Sequence, residues 1–243
     1  MRKKSRKINS GNRIIFRSGL LAFIIAWTLL VENPLYAQSK LVRNIKNGKD
    51  QFVVVYGTSL SSNECGKSWM DEVADYFNGK YGNHLKYCLS GKGGRWSTRG
   101  VQHLEDSVIA KKPDAVLIEF AINDAHEKFR MSPKLAKLNL EYMIDRIKLQ
   151  YPACEIILQI MNMPVGEPAR YRPNLEDYYN VYRKVAKEKK LLLIDHYPNW
   201  QKIFKQGETV FLGYVPDGIH PNKESGKNVI APLIIDRLEN KNR

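Results

Sequence analysis

Cysteine is scarce in this chain: Cys65, Cys88 and Cys154 are the only three in 243 residues. An odd count cannot close completely into internal disulfides, so these alone do not make a disulfide scaffold. Cys65 and Cys88, expected near the ends of adjacent elements, are a candidate pair in an exported protein. The plainer reading is small buried side chains. A long hydrophobic run is also missing. Gly19 to Val31 is almost wholly apolar, yet at 13 residues it falls short of the ~20 that a spanning helix needs. No Cys closely follows that run, which argues against bacterial lipoprotein processing. Internal repeats and low-complexity tracts are absent, and no nucleic-acid motif accompanies the basic charge.

What is present begins with a basic stretch, Arg2, Lys3, Lys4, Arg6, Lys7, Arg13 and Arg17, ahead of the apolar run. Pro34-Leu35-Tyr36-Ala37 then supplies a small residue suited to cleavage before Gln38. Residues 1–37 therefore read as a secretory signal peptide, with an uncleaved N-terminal anchor through residues 19–31 as the alternative. Either reading places the protein outside the cytoplasm, secreted or periplasmic. The leader carries seven Lys/Arg and one Glu, so +6 of the formal +14 belongs to it and +8 remains for residues 38–243. Solvated helix faces such as Lys184 to Lys190 account for most of that excess. An acidic polysaccharide or a membrane surface is a candidate electrostatic partner. Residues 38–50 are polar and basic and read as a tether, leaving 51–243 as one domain large enough for a substantial core.

Within the domain, apolar runs alternate with amphipathic stretches. Phe52–Tyr56, Leu85–Leu89, Ala115–Phe120, Ile156–Ile160 and Leu191–Ile194 are continuous rather than alternating, as strands buried on both faces should be. Trp69, Val73 and Phe77 recur at helical spacing, with Gly79 as the expected stop. Ser132-Pro133 reads as a cap and a first-turn proline for a helix whose buried face is Leu140, Met143, Ile144 and Ile147. A third helix is expected over 174–190. A last one spans 222–240, with Pro232 imposing a kink or a late start. This alternation implies right-handed crossovers and a doubly wound parallel sheet.

The first apolar run feeds Gly57-Thr58-Ser59-Leu60, and far downstream Asp217 and His220 stand three residues apart in Asp-Gly-Ile-His. A serine hydroxyl is a poor nucleophile unless a base takes its proton, and a carboxylate best holds that base in its working tautomer. Between them, Ala121-Ile122-Asn123-Asp124 ends the third run and can supply an amide to an oxyanion. Each residue has an ordinary reading too. Ser59 could cap a helix, His220 could be structural, and Asn123 could close a strand-end turn. Ser61 and Ser62 lie past the turn and are poorer nucleophiles, and Asp124 reads as structural. Lys92 and Arg95 read as surface charge. Ser61 to Ser68 approaches a phosphate-binding loop, but Ser61 stands where the first glycine is needed.

Taken in order, four blocks resemble the SGNH (GDSL-like) esterase family over about residues 52–238. The nucleophile block is Gly57-Thr58-Ser59-Leu60, with Thr58 where that family usually has Asp. The glycine block is Ser90-Gly91-Lys92-Gly93-Gly94, in which Gly94 is the favoured oxyanion donor and Gly93 the second choice. The asparagine block is Ala121-Ile122-Asn123-Asp124, with Ala121 where Gly is usual. The last block runs from Asp217 to His220, followed by Pro221. The resemblance, not spacing, selects His220 over His84, His103, His126 and His196 as base. It implies a catalytic triad of Ser59, His220 and Asp217, and an oxyanion hole from the N–H groups of Ser59 and Gly94 with the Asn123 amide. No cofactor or metal is implied.

The expected protein is a serine esterase with a flavodoxin-like, three-layer α/β/α fold of about five parallel strands. Ligands in such sheets bind at the carboxyl ends of the strands, where Ser59, Gly94 and Asn123 all fall. Loops 162–173 and 200–215, with Tyr171, Arg172, Phe211 and Tyr214, are expected to shape the substrate site, while Trp200 reads at least as well as a core residue. The first expectation for substrate is an acetylated extracytoplasmic carbohydrate. Lipid ester or thioester hydrolysis and acyl transfer follow. A non-catalytic glycan- or envelope-binding module is the alternative of another class.

Overall fold

The computed structural model describes residues 39–240. The expected leader, residues 1–37, lies outside them, and none of the described helices is long and apolar enough to cross a membrane. The chain runs through α1 (Lys40–Lys46), β1 (Gln51–Gly57), α2 (Gly66–Tyr81), β2 (Leu85–Leu89) and α3 (Ser97–Gln102). It continues through β3 (Ala115–Glu119), α4 (Pro133–Gln150), β4 (Glu155–Ile160), α5 (Leu175–Lys189) and β5 (Leu192–Asp195), and closes with α6 (Tyr197–Phe204), α7 (Glu208–Tyr214) and α8 (Ala231–Glu239). Short helical turns fill several of the connections.

The five strands form one sheet in the order β2-β1-β3-β4-β5, and every pairing is parallel. This is the flavodoxin-like winding, reversing direction between β1 and β3. Burial explains why the strand sequences are unbroken apolar runs. All of β3 is buried, whereas the edge strands β2 and β5 are largely half-buried. In β1, Val53, Val54, Val55 and Tyr56 are each fully inaccessible. A buried aliphatic side chain of this size contributes about 1.5–3 kcal/mol. Helices α1, α2 and α8 pack together, as do α3, α4 and α5. The result is the three-layer α/β/α arrangement.

Two expectations change. The segment read as a tether contains α1, whose Leu41, Val42 and Ile45 are buried in the core. Its cap comes from Glu155 at the start of β4, which accepts from Lys40 N at 3.0 Å and Leu41 N at 2.7 Å, and from the Ser39 hydroxyl at 2.7 Å. A carboxylate there also suits the positive end of the helix dipole. No local pattern announces a cap 115 positions away. Second, α2 runs through Gly79 and stops before Gly82, whose φ of 89° takes the left-handed turn. The late start expected at Pro232 is observed: a π turn covers Gly226–Ile230, and α8 then begins with Pro232 in its first turn. The other helix ends agree with the sequence: the Ser132 hydroxyl accepts from Leu135 N, and Lys190 leaves α5 in a left-handed conformation.

Candidate active site

Where β1 ends, Gly57 pairs in register with Glu119 at the end of β3, and the intervening turn is tied to that carboxylate. Thr58 donates to Glu119 Oε2 through its hydroxyl at 2.7 Å and its N–H at 3.2 Å, and the Ser61 hydroxyl donates to the same oxygen at 3.2 Å. The Ser62 hydroxyl donates to the Ser59 carbonyl at 2.8 Å. Both neighbouring serines are therefore occupied in holding the turn. Ser59 is not: its Oγ lies 2.9 Å from Nε2 of His220. Burial pushes the Glu119 carboxyl up to about 8 and that of neighbouring Asp124 up to about 7, against opposing hydrogen bonds from the turn and from Ser97.

Asp217 and His220 share one tight loop. Asp217 Oδ1 accepts the N–H groups of Ile219 at 3.0 Å and His220 at 2.7 Å, while Oδ2 lies 2.6 Å from His220 Nδ1. A carboxylate only accepts, so Nδ1 carries the hydrogen and Nε2 presents its lone pair to Ser59. Partial burial acts to raise the Asp217 carboxyl, but the hydrogen bonds from His220 and Ile219 prevail and hold it below its ordinary value. Two helices, α6 and α7, separate β5 from this loop. It is docked onto the segment after β4: Val165 N donates to Gly218 O at 2.8 Å and the Asn162 amide donates to Ile219 O at 3.0 Å.

Gly94 turns at φ 69°, and a Cβ there would meet nothing within 4 Å, so its backbone stands open to the cleft. Gly93 lies beside it, where an added Cβ would come to 4.0 Å from Ser59 Cβ. Gly94, rather than Gly93, lines the cleft. Asn123 sits in the short turn after β3, with its amide donating to Arg95 O at 2.8 Å and its Oδ1 accepting from Arg172 Nη2 at 3.3 Å. A donor on one side and an acceptor on the other fix the rotation of this amide, and one of its two N–H hydrogens is left for the cleft. Asp124 accepts from Ser97 N at 2.7 Å and anchors the start of α3.

Ser59, Gly94, Asn123 and His220 line a cleft of about 280 Å³. The loop after β4 contributes Glu167, Pro168, Tyr171 and Arg172 to it, as expected for residues 162–173. The other expected loop does not. Residues 200–215 are mostly α6 and α7, and Trp200 and Phe211 are fully buried against one another with ring centroids 5.6 Å apart. Their apolar faces serve the core. In their place the turn after β3 supplies His126, Lys128 and Phe129. Phe129 stacks on Trp96 at 4.2 Å, and His126 stacks on Tyr171 at 5.3 Å, so residues from three loops make one aromatic wall. Sequence reasoning missed this turn, although a His and a Phe three residues apart just after Asn-Asp were its visible trace. Lys92 and Arg95 do not line the cleft, and Cys65, Cys88 and Cys154 are all free thiols. In the segment resembling a phosphate loop, Gly66 N and Ser68 N donate to Ser62 O and Cys65 O, so these amides are engaged in the turn into α2.

Solved structures with this fold include the acetylxylan esterase Axe2 of Geobacillus stearothermophilus, 19% identical, with a TM-score of 0.65 over 79% of this chain and 96% of that one. The lipase/acylhydrolase of Enterococcus faecalis is 21% identical, with a TM-score of 0.64 over 79% and 99% of the respective chains. LAE5, an alpha/beta hydrolase enzyme from the metagenome of Lake Arreo, is 17% identical, with a TM-score of 0.65 over 84% and 97%. At these identities the likeness establishes the fold. No curated protein matches the chain significantly. Residues 54–225 match the GDSL-like Lipase/Acylhydrolase family. The chain belongs to that family and is a serine ester hydrolase.

Proposed function

We propose that Ser59, His220 and Asp217 form the catalytic triad of an exported esterase that removes short acyl groups, acetyl first, from carbohydrate. The observation that carries this reading is the pair of contacts at His220, with Nε2 at 2.9 Å from the Ser59 hydroxyl and Nδ1 at 2.6 Å from Asp217. His220 takes the Ser59 proton as Oγ attacks the ester carbonyl, and Asp217 steadies the imidazolium. The N–H groups of Ser59 and Gly94, with the free N–H of the Asn123 amide, hold the tetrahedral oxyanion. The proton passes from His220 to the leaving alcohol, and water releases the acyl group by the same route.

The cleft, just below the ~300–1,000 Å³ usual for small-molecule pockets, supports a short acyl group over a long lipid chain. Its aromatic wall offers flat faces on which a sugar ring can stack. The fold-mate from Geobacillus is an acetylxylan esterase by name. The basic and apolar leader supports export.

A fluorophosphonate probe tests the nucleophile. Labelling of native protein, lost on denaturation and in Ser59→Ala, is the expected result. A folded protein that takes no label points to a binding module instead. Hydrolysis of acetylated xylo-oligosaccharides and of nitrophenyl esters of increasing length then tests the substrate. Best activity on long chains would transfer the assignment to lipid esters.

A further inference from the structure

Arg172 carries a charge that is almost fully buried, at 8% exposure, and no described carboxylate pairs with it. Its hydrogen bonds all reach neutral oxygens. Nε donates to Ile122 O at 2.8 Å, Nη1 to Pro168 O at 2.9 Å and Nη2 to Asn123 Oδ1 at 3.3 Å. A buried cation is costly to desolvate, and burial pushes this guanidinium below its ordinary value. A loop clamp alone does not need the charge, because a neutral donor could reach the same carbonyls. The position of the charge is informative. Arg172 reaches the cleft lining and meets the Asn123 amide at its oxygen, leaving the amide nitrogen for the region where negative charge develops as the ester is attacked.

We infer that Arg172 is a positioning residue for the oxyanion hole, holding the Asn123 amide with its N–H toward the cleft and polarising it from behind. The inference rests on Asn123 as an oxyanion donor. With Oδ1 bound to a cation, the amide becomes a stronger donor at its nitrogen, since hydrogen bonds in series reinforce one another. The developing oxyanion supplies the counter-charge that the resting site lacks. The interaction is therefore stronger in the transition state than in the ground state, and belongs in kcat rather than KM. Through Pro168 O the same guanidinium fixes the loop that carries Tyr171 against the turn that carries Asn123.

The test is a double-mutant cycle on full-length protein with a short-chain nitrophenyl ester, using Arg172→Met, Asn123→Ala and the double variant. Thermal melts verify folding. Arg172→Met should lower kcat about tenfold or more with KM within about twofold, less than the roughly hundred- to thousand-fold of losing a donor outright. In the Asn123→Ala background the same change should alter kcat by less than about twofold, because the amide it orients is gone. An equal loss in both backgrounds, or a raised KM with kcat unchanged, overturns the inference and leaves Arg172 as a loop clamp. If Asn123→Ala itself retains full kcat, the oxyanion reading fails instead, and that result is distinct. Should Arg172→Met not fold, Arg172→Gln, which is neutral but can still donate, is carried through the same cycle, with a kcat loss expected when Asn123 is present and not in Asn123→Ala.

Discussion

The N–H of Val165 donates to the carbonyl of Gly218 at 2.8 Å, joining the segment after β4 to the turn between Asp217 and His220. Gly218 stands at φ 79°, and a Cβ added to it would come to 2.5 Å from the Val165 carbonyl oxygen. Both facts exclude a side chain there. Gly218→Ala should destabilise the protein by about 1–3 kcal/mol, the usual cost of a strained backbone position. It should also lower kcat by displacing the Asp217–His220 pair. Urea denaturation and ester kinetics check this. An alanine variant with wild-type stability and rate would mean the loop is not held as described.

Asn123→Ala should lower kcat with little change in KM, because the negative oxygen exists only once the tetrahedral state forms. Loss of one such donor typically costs about 2.7–4 kcal/mol. Residual activity is expected, because the Ser59 and Gly94 N–H groups remain. Steady-state kinetics on a soluble acetyl ester decide the matter, and an unchanged kcat would reduce Asn123 to a turn residue.

The buried Glu119 makes folding sensitive to pH. Its three donors, from Thr58 and Ser61, all converge on Oε2, which leaves Oε1 to carry a proton. Asp124 faces it, and the buried rings of Tyr179 and Tyr182 lie near. The folded protein keeps this proton up to about pH 8, whereas the unfolded chain releases it near its ordinary 4.5. Between those values the native state binds more protons, so stability must fall as pH rises through that window. In Glu119→Gln the group no longer titrates, and the fall should become shallower, with the Asp124 contribution still present. Denaturant midpoints measured from pH 5 to pH 8.5 in both proteins provide the comparison. Identical slopes would exclude Glu119 as the source.

If Ala37 is the cleavage residue, protein recovered from outside the cytoplasm should begin at Gln38, immediately before the Ser39 that Glu155 holds. Intact mass or N-terminal sequencing reads this directly. A full-length species found with the membrane fraction would establish the anchored form.

The sheet was legible because its information is local. Strands buried on both faces must be continuous apolar runs, and those runs bound all five to within a residue or so. Ser59, Gly94 and Asn123 follow three of those strands, so a parallel winding suffices to bring them to one edge. The Asp-Gly-Ile-His spacing closes its own turn, since Asp217 reaches the N–H groups just beyond it. Tertiary structure decided what depends on partners distant in the chain. Residues 40–46 became a core helix because Glu155 caps it, and the aromatics of residues 200–215 went to the core because α6 and α7 turn those faces inward. The wall of Trp96, His126, Phe129 and Tyr171 exists only where three loops meet. The Asn123 amide is held between the Arg95 carbonyl, 28 residues before it, and Arg172, 49 residues after it. Periodicity and short motifs record what a residue does with its near neighbours; a cap, a stacked ring or a charge behind an amide is decided only when the chain has folded back on itself.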